Sequence, residues 1–287
     1  MTIFRLGLIG YPLSHSISPQ IHTAALNACG LEGDYSLFPI SPDNKQGLKE
    51  LLTRVRKGEL QGLNVTIPHK QTVIEFLDEL TPTAKAIGAV NTIYVRDKRL
   101  IGGNTDAPGF LTDLKRFLAE SPSPSGRGAG VREKSALVLG AGGSARAITY
   151  ALLTDDWSVT VAARRIEQAE ELLLTFPNHA VRSTQYQSFT LSVHFLPFIL
   201  LVNTTPLGMT PNIDQSPLPE NLSLPSNAFV YDLVYNPRET KLVKDARAQG
   251  LKAANGLGML IEQAALAFEI WTGHHPPREI LYQSVEL

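Results

Sequence analysis

Cysteine is almost missing from this chain of 287 residues: Cys29 stands alone. It has no partner for an intrachain disulfide, so nothing calls for an oxidising compartment and the expected location is the cytoplasm. An excess of charge of one sign is lacking as well. Lys plus Arg number 26 against 27 for Asp plus Glu, a net charge of −1, far from the basic balance that phosphate contacts demand, which argues against a nucleic-acid partner. Long hydrophobic runs are absent. The longest, residues 195–202, is interrupted by Pro197 and is well short of the ~20 residues needed to cross a bilayer. The amino terminus carries neither the charged region nor the cleavage site of an export signal, so no membrane association is expected. None of the seven histidines belongs to a compact ligand set, and one cysteine excludes a Cys-rich zinc site, so no metal is expected. A G-x-S-x-G elbow and a P-loop are both missing, which removes the common hydrolase and phosphate-transfer readings.

What is present reads as a two-domain α/β protein. Apolar residues make up 43% and charged residues 18%, enough to fill cores, and at roughly 150 residues per domain the length predicts two. Short β-branched runs alternate with stretches of helical spacing, the pattern of largely parallel sheets. Strands are predicted at 5–9, 35–39, 62–67, 91–96 and 100–102, with helices at 45–57, 70–80 and 83–87. The loop YPLSHS places Ser14 and Ser16 between the first strand and a helix opened by Ser18 as N-cap and Pro19 at N1, and stopped by Gly30. Residues 121–135, rich in Ser, Pro, Gly and Arg, read as an exposed connection. A second set of strands follows at 136–139, 158–162, 199–203 and 229–234. The segment from Gly256 then carries Leu260, Ala264, Ala267, Phe268 and Trp271 at helix spacing, an apolar face that the first domain reclaims. The predicted domains are 1–110 joined by 256–287, and 111–255.

After the strand at 136–139 comes Gly140-Ala141-Gly142-Gly143-Ser144-Ala145, a match to G-x-G-x-x-G/A. The first glycine permits the tight turn, the second lets backbone N–H groups approach a pyrophosphate, and the following helix points its positive end at the anion. The bland alternative is an ordinary glycine-rich turn; the flanking strand and helix favour a dinucleotide. The next strand ends in Ala163-Arg164-Arg165. An acid there would accept from a ribose 2′-hydroxyl, whereas arginine forks onto a 2′-phosphate, so NADP is expected over NAD.

The first half holds a polar constellation. In GLNVTIPHK, residues 62–70, Asn64 and Thr66 share one strand face, Pro68 ends the ladder, and Lys70 stands at the carboxyl edge as a candidate acid/base. GAVNT at 88–92 and GGNTD at 102–106 add Asn91 and Asp106. For Asp106 a helix N-cap before Ala107-Pro108 is as good a reading as catalysis.

These motifs in this order resemble the shikimate dehydrogenase family: Ser14-His15-Ser16-x-Ser18-Pro19, NVTIPHK, IGAVNT, GGNTDAPGF, GAGGSARA, NTTPLGM at 203–209, DLVYNPRET at 232–240 and GLGMLIEQAALAFEIWTG at 256–273. The resemblance spans nearly the whole chain. It implies a substrate domain and a Rossmann-type NADP domain separated by a closing cleft, and the reversible NADPH-dependent reduction of 3-dehydroshikimate to shikimate in aromatic amino-acid biosynthesis. It implies that Ser14 and Ser16 hold the substrate carboxylate, that Asn64, Asn91, Asp106 and Gln263 contact ring hydroxyls, and that Thr66 and Tyr235 line the pocket. Lys70 and Asp106 form the pair at the reacting hydroxyl. Asn203, Thr204, Gly256 and Met259 border the nucleotide, although core packing would equally explain Met259. A monomer or homodimer acting on a small molecule is implied. Two departures stand out. The family commonly has Asn-Arg-Thr, with a basic residue three positions later, where this chain has Ala163-Arg164-Arg165 and Gln168; only Arg164 matches, which opens the door to NAD. The 121–135 segment looks like an insertion. A quinate/shikimate dehydrogenase using NAD or NADP is the nearest alternative, against which Ser16 argues, because threonine there often accompanies quinate use. A non-catalytic nucleotide-binding homologue would have no need of both Lys70 and Asp106.

Overall fold

The computed structural model describes residues 2–120, 134–177, 181–185, 198–220 and 222–285. Of the connection expected at 121–135, all but Lys134 and Ser135 lies outside these residues, as do 195–197 of the apolar run. The chain forms two compact units, Met1–Gly109 with Ile261–Leu287, and Phe110–Leu260. Both boundaries fall inside helices.

In the first unit, β1 (Phe4–Gly10), β2 (Gly33–Pro39), β3 (Gly62–Val65), β4 (Glu79–Leu80), β5 (Thr92–Arg96) and β6 (Arg99–Gly103) make one sheet in the order β2-β1-β3-β5-β6-β4. The sheet is mainly parallel, with β5 alone running against the other strands. β5 runs antiparallel to both neighbours because β5 and β6 form a hairpin, with Asp97 and Lys98 both at positive φ, 52° and 62°, the two-residue geometry that matches strand twist. Helices α1 (Ser18–Ala28), α2 (Lys45–Arg56), α3 (His69–Thr72) and α4 (Pro82–Ile87) connect these strands. α2 shows why such sequences fold as they do. Asn44 Oδ1 accepts from Gly47 N at 2.8 Å as the cap, Leu48, Leu51, Leu52 and Val55 form one buried stripe, and Arg54 and Arg56 sit in the last turn, where the dipole favours cations. That stripe packs into a core with Ile9, Leu63, Val65, Val73, Val90 and Ile93.

Two local expectations are corrected. The helix predicted over 70–80 is α3, followed by a 3-10 turn at Val73–Phe76 and then β4. Thr72, Val73 and Ile74 are β-branched and weak helix formers, and Glu79 and Leu80 gain parallel pairing with Ile101 and Gly102. At α1 the N-cap is Ile17, without a side-chain cap, and Ser18 is already helical; Ser16 Oγ instead accepts from Ser18 N at 3.3 Å. Gly30 follows at φ 63°, the left-handed turn that ends α1.

In the second unit, β7 (Ser135–Leu139), β8 (Ser158–Ala163), β9 (Val181–Gln185), β10 (Leu200–Asn203), β11 (Phe229–Asp232) and β12 (Lys252–Ala254) form a wholly parallel sheet ordered β12-β11-β10-β7-β8-β9. Numbered within the unit and taken from the β9 edge, this is the 3-2-1-4-5-6 order of a dinucleotide-binding sheet. Helices α6 (Gly143–Thr154), α7 (Ile166–Leu174) and α8 (Lys241–Ala248) connect its strands. Leu137, Leu139, Leu201, Val230, Leu242 and Val243 are core residues of this unit. Helices α5 (Asp106–Ala119), α9 (Leu257–Thr272) and α10 (Arg278–Gln283) complete the fold. No helix among the described residues is long and apolar enough to cross a membrane.

Candidate active site

Segments at the ends of three strands and one long helix converge within the first unit. Lys70 is carried by α3, directly after β3 and Pro68; Asn91 precedes β5; Thr105 and Asp106 follow β6; Gln263 projects from α9. Lys70 Nζ donates to Asp106 Oδ2 at 2.7 Å, with side-chain exposures of 11% and 6%. Asp106 is therefore not the cap of α5. That task falls to Asn104, whose Oδ1 accepts from Ala107 N at 3.3 Å, leaving both carboxylate oxygens for side chains.

Asn91 organises the rest. Its Oδ1 accepts from Thr105 N at 2.7 Å, a group that can only donate, so the amide nitrogen must face the other way. There Nδ2 shares its two hydrogens among Asp106 Oδ1 at 2.8 Å, Thr105 Oγ1 at 2.9 Å and Gln263 Oε1 at 3.2 Å. Gln263 thereby presents its oxygen to Asn91 and turns Nε2 elsewhere. The approach of α9 depends on Gly109, where a Cβ would lie 2.7 Å from Gln263 N. Asn64 is buried beside this cluster; its Oδ1 accepts from the Tyr35 hydroxyl at 2.8 Å and its Nδ2 donates to Asn91 O at 3.2 Å. An ammonium and a carboxylate so nearly withdrawn from water hold together because each oxygen of the acid has a donor. Thr66 is half-buried just after β3, Ser16 is half-buried and Ser14 exposed in the loop after β1. Sequence reasoning brought Lys70, Asp106, Asn64, Asn91 and Gln263 to one place and missed Tyr35, Thr105 and Gly109. Thr105 and Gly109 lie inside the GGNTDAPGF motif, beside the more conspicuous Asp106, whereas Tyr35 sits in no motif.

The second unit carries the glycine-rich loop. Gly140 stands at φ 112°, a conformation L side chains rarely adopt, and a Cβ there would meet Thr204 Oγ1 at 2.5 Å. Gly142 precedes α6 at φ −80° with no side chain capping the helix, and a Cβ on it would have nothing within 4 Å. Together with Ala141, Gly143 and Ser144 at the start of α6 and buried Ala145, this is an open backbone cradle at a helix N-terminus, which fits a dinucleotide pyrophosphate. Arg164 and Arg165 are exposed directly after β8, where a 2′-phosphate could be met. Asn203 is fully buried and spends its amide on Asp232 Oδ1 at 2.8 Å and Leu207 O at 3.3 Å; Thr204 Oγ1 donates to Leu139 O at 2.6 Å. These two shape the carboxyl edge of the sheet from within. Asp232 also accepts from Thr240 Oγ1 at 2.6 Å and Val234 N at 3.0 Å, and burial pushes its carboxyl up to about 6 against the pull of those donors. A Cβ at Gly256 would strike the Leu233 backbone; Met259 is 7% exposed, and Tyr235 is half-buried in the loop after β11. No group of His, Cys, Asp and Glu among the described residues could hold a metal ion.

Residues 8–93 match the shikimate dehydrogenase substrate binding domain and residues 256–286 the shikimate 5′-dehydrogenase C-terminal domain. A shikimate dehydrogenase (NADP(+)) of Carboxydothermus hydrogenoformans is 41% identical over 281 residues, covering 98% of this chain and 96% of the relative. A crystal structure of a shikimate dehydrogenase in complex with NADP+ superposes with a TM-score of 0.85 at 36% identity, covering 98% of this chain and 94% of the other. That of shikimate 5-dehydrogenase from Thermus thermophilus, in complex with NADP(H) and shikimate, gives 0.82 at 37% identity over 98% of both chains. With identity of this level over nearly the full length, the chain belongs to the shikimate dehydrogenase family.

Proposed function

We propose that this chain catalyses the reversible NADPH-dependent reduction of 3-dehydroshikimate to shikimate, an oxidoreductase step acting on a CH–OH group in aromatic amino-acid biosynthesis. The observation that carries this reading is the Lys70–Asp106 contact of 2.7 Å, shielded from water and tied through Asn91 to Gln263. A secondary alcohol that becomes a ketone gives up a hydride from carbon and a proton from oxygen. When bound, NADP supplies the hydride acceptor. The Lys70–Asp106 pair takes the proton from the alcohol oxygen, or returns it in the reverse direction, and Asp106 holds Nζ in place. Asn64, Asn91 and Gln263 orient the ring hydroxyls, Thr66 and Tyr235 line the pocket, and Ser14 and Ser16 donate to the carboxylate. Ser16 Oγ already accepts from Ser18 N, which leaves its own O–H to donate.

In this reading residues 1–110 with 256–287 form the substrate domain and 111–255 the NADP domain. Gly140 to Ala145 cradle the pyrophosphate, Asn203, Thr204, Gly256 and Met259 border the nucleotide, and Arg164, with Arg165 beside it, meets the 2′-phosphate. The enzyme is assigned to the cytoplasm, as a monomer or homodimer. The test is absorbance at the reduced-nicotinamide band when purified protein is mixed with shikimate and NADP. A rise is expected, and turnover of shikimate with NADP should exceed that of quinate with NAD. Faster quinate oxidation with NAD would reassign the chain, and no reduction of either nucleotide would end the proposal.

A further inference from the structure

His22, on α1, is fully buried, and neither ring nitrogen has a hydrogen-bond partner. Burial outweighs the nearby Asn64 side chain and keeps the ring neutral, its pKa lowered to about 3. A phenylalanine would fill such a place without leaving two polar atoms unsatisfied. The imidazole lies flat against Tyr35, with centroids 4.3 Å apart and planes within 2°, and has Trp271 at 5.4 Å and Phe268 at 6.4 Å on its other contacts. The far end of Tyr35 reaches the site: its hydroxyl donates to Asn64 Oδ1 at 2.8 Å. The direction of that bond is forced. Asn91 O is a carbonyl and can only accept, so Asn64 must turn Nδ2 toward it, which places Oδ1 against the phenol and requires the phenol to donate. The Asn64 amide is thus locked at both ends, with one lock made by a side chain well back from the Lys70–Asp106 pair.

Resting on the proposed function, we propose that Tyr35 is a positioning residue of the substrate site: its phenol, stacked on His22, holds the Asn64 amide in the orientation that serves a ring hydroxyl of the substrate. Such preorganisation lowers the ordering cost at binding and does not alter proton transfer at Lys70. The effect belongs in the KM for shikimate and not in kcat.

The experiment is steady-state kinetics of Tyr35→Phe, which keeps the ring and its stack and removes the donor. The KM for shikimate should rise about five-fold, the scale of one lost buried hydrogen bond, with kcat and the KM for NADP within about two-fold of wild type. In a cycle with Asn64→Ala, the double variant should match Asn64→Ala alone, because Tyr35 acts through that amide. Additive losses, an unchanged KM, or a loss confined to kcat would each overturn the inference. If Tyr35→Phe does not fold, His22→Leu removes the plate beneath Tyr35 and leaves the phenol; a raised KM for shikimate at wild-type kcat supports the inference, and a wild-type KM overturns it. Failure of the wild-type protein to oxidise shikimate would instead strike the proposed function, so the two failures are distinguishable.

Discussion

Lys70 Nζ and Asp106 Oδ2 meet at 2.7 Å although 36 positions separate the residues along the chain. β3 and the β5–β6 hairpin bring them together: β3 delivers Lys70 past Pro68, and β6 delivers Asp106 past Thr105, at the ends of the two strands that flank β5. Lys70→Ala should lower turnover by roughly two or more orders of magnitude, the scale of a lost acid/base group, with a far smaller change in shikimate affinity. Turnover and binding measured on the same variant decide this, and normal turnover would refute the role.

Arg164 follows β8 and is exposed. Arg164→Ala should weaken NADP binding by roughly 1.5–3 kcal/mol, as for a lost charged hydrogen bond, while NAD binding barely moves. Titration calorimetry with both nucleotides reads the difference. Equal losses would mean that the guanidinium does not touch the 2′-phosphate.

Gly142 separates the cofactor reading from that of an ordinary turn. Its φ is −80° and a Cβ added there would have no atom within 4 Å. Gly142→Ala therefore meets no atom of the protein, and with the entropy gain offset by alanine's weaker N-cap preference its denaturant midpoint should stay near wild type. The same methyl group would stand where backbone N–H groups approach the pyrophosphate. NADP affinity should fall about ten-fold or more, and wild-type affinity would leave this glycine a turn residue.

His22 should make the protein acid-sensitive. The folded state holds its pKa near 3 against 6.5 for the free side chain, so the unfolded chain binds a proton that the folded one refuses, and stability falls as pH drops through that window. The full effect is roughly 4 kcal/mol by pH 3. Asp232 works in the opposite sense between about 6 and 3.8, since its raised folded pKa favours proton uptake by the native state. His22→Phe should therefore flatten the acid limb of a urea-unfolding series, leaving stability near pH 7 equal or higher. An unchanged acid limb would show that His22 is protonated in the native protein.

Much of this was legible in the chain. Period-two and helical spacing marked most strands and helices, and the glycines at 140 and 142 sat where a strand passes into α6. Legibility failed where non-local pairing outweighed local pattern. Glu79 and Leu80 read as helix because their pairing partners, Ile101 and Gly102, lie more than twenty positions away, and the antiparallel course of β5 follows from a hairpin with Asp-Lys at its tip instead of a glycine. Asp106 was balanced between cap and catalysis. The cap reading fails because Asn104 takes the cap of α5.

Residue type and short-range spacing were enough to specify α/β units and the nucleotide loop, and to single out Lys70, Asp106, Asn64 and Asn91 as candidates, because turn chemistry and side-chain period act within a few positions; Gln263 came from the family resemblance. Only the folded chain decides which way each amide faces. Asn91 is turned by Thr105 N, Gln263 by Asn91, and Asn64 by Asn91 O and Tyr35. A carboxamide looks the same in sequence whichever end it offers; its donor and acceptor are sorted only when the fold sets an obligate partner beside it.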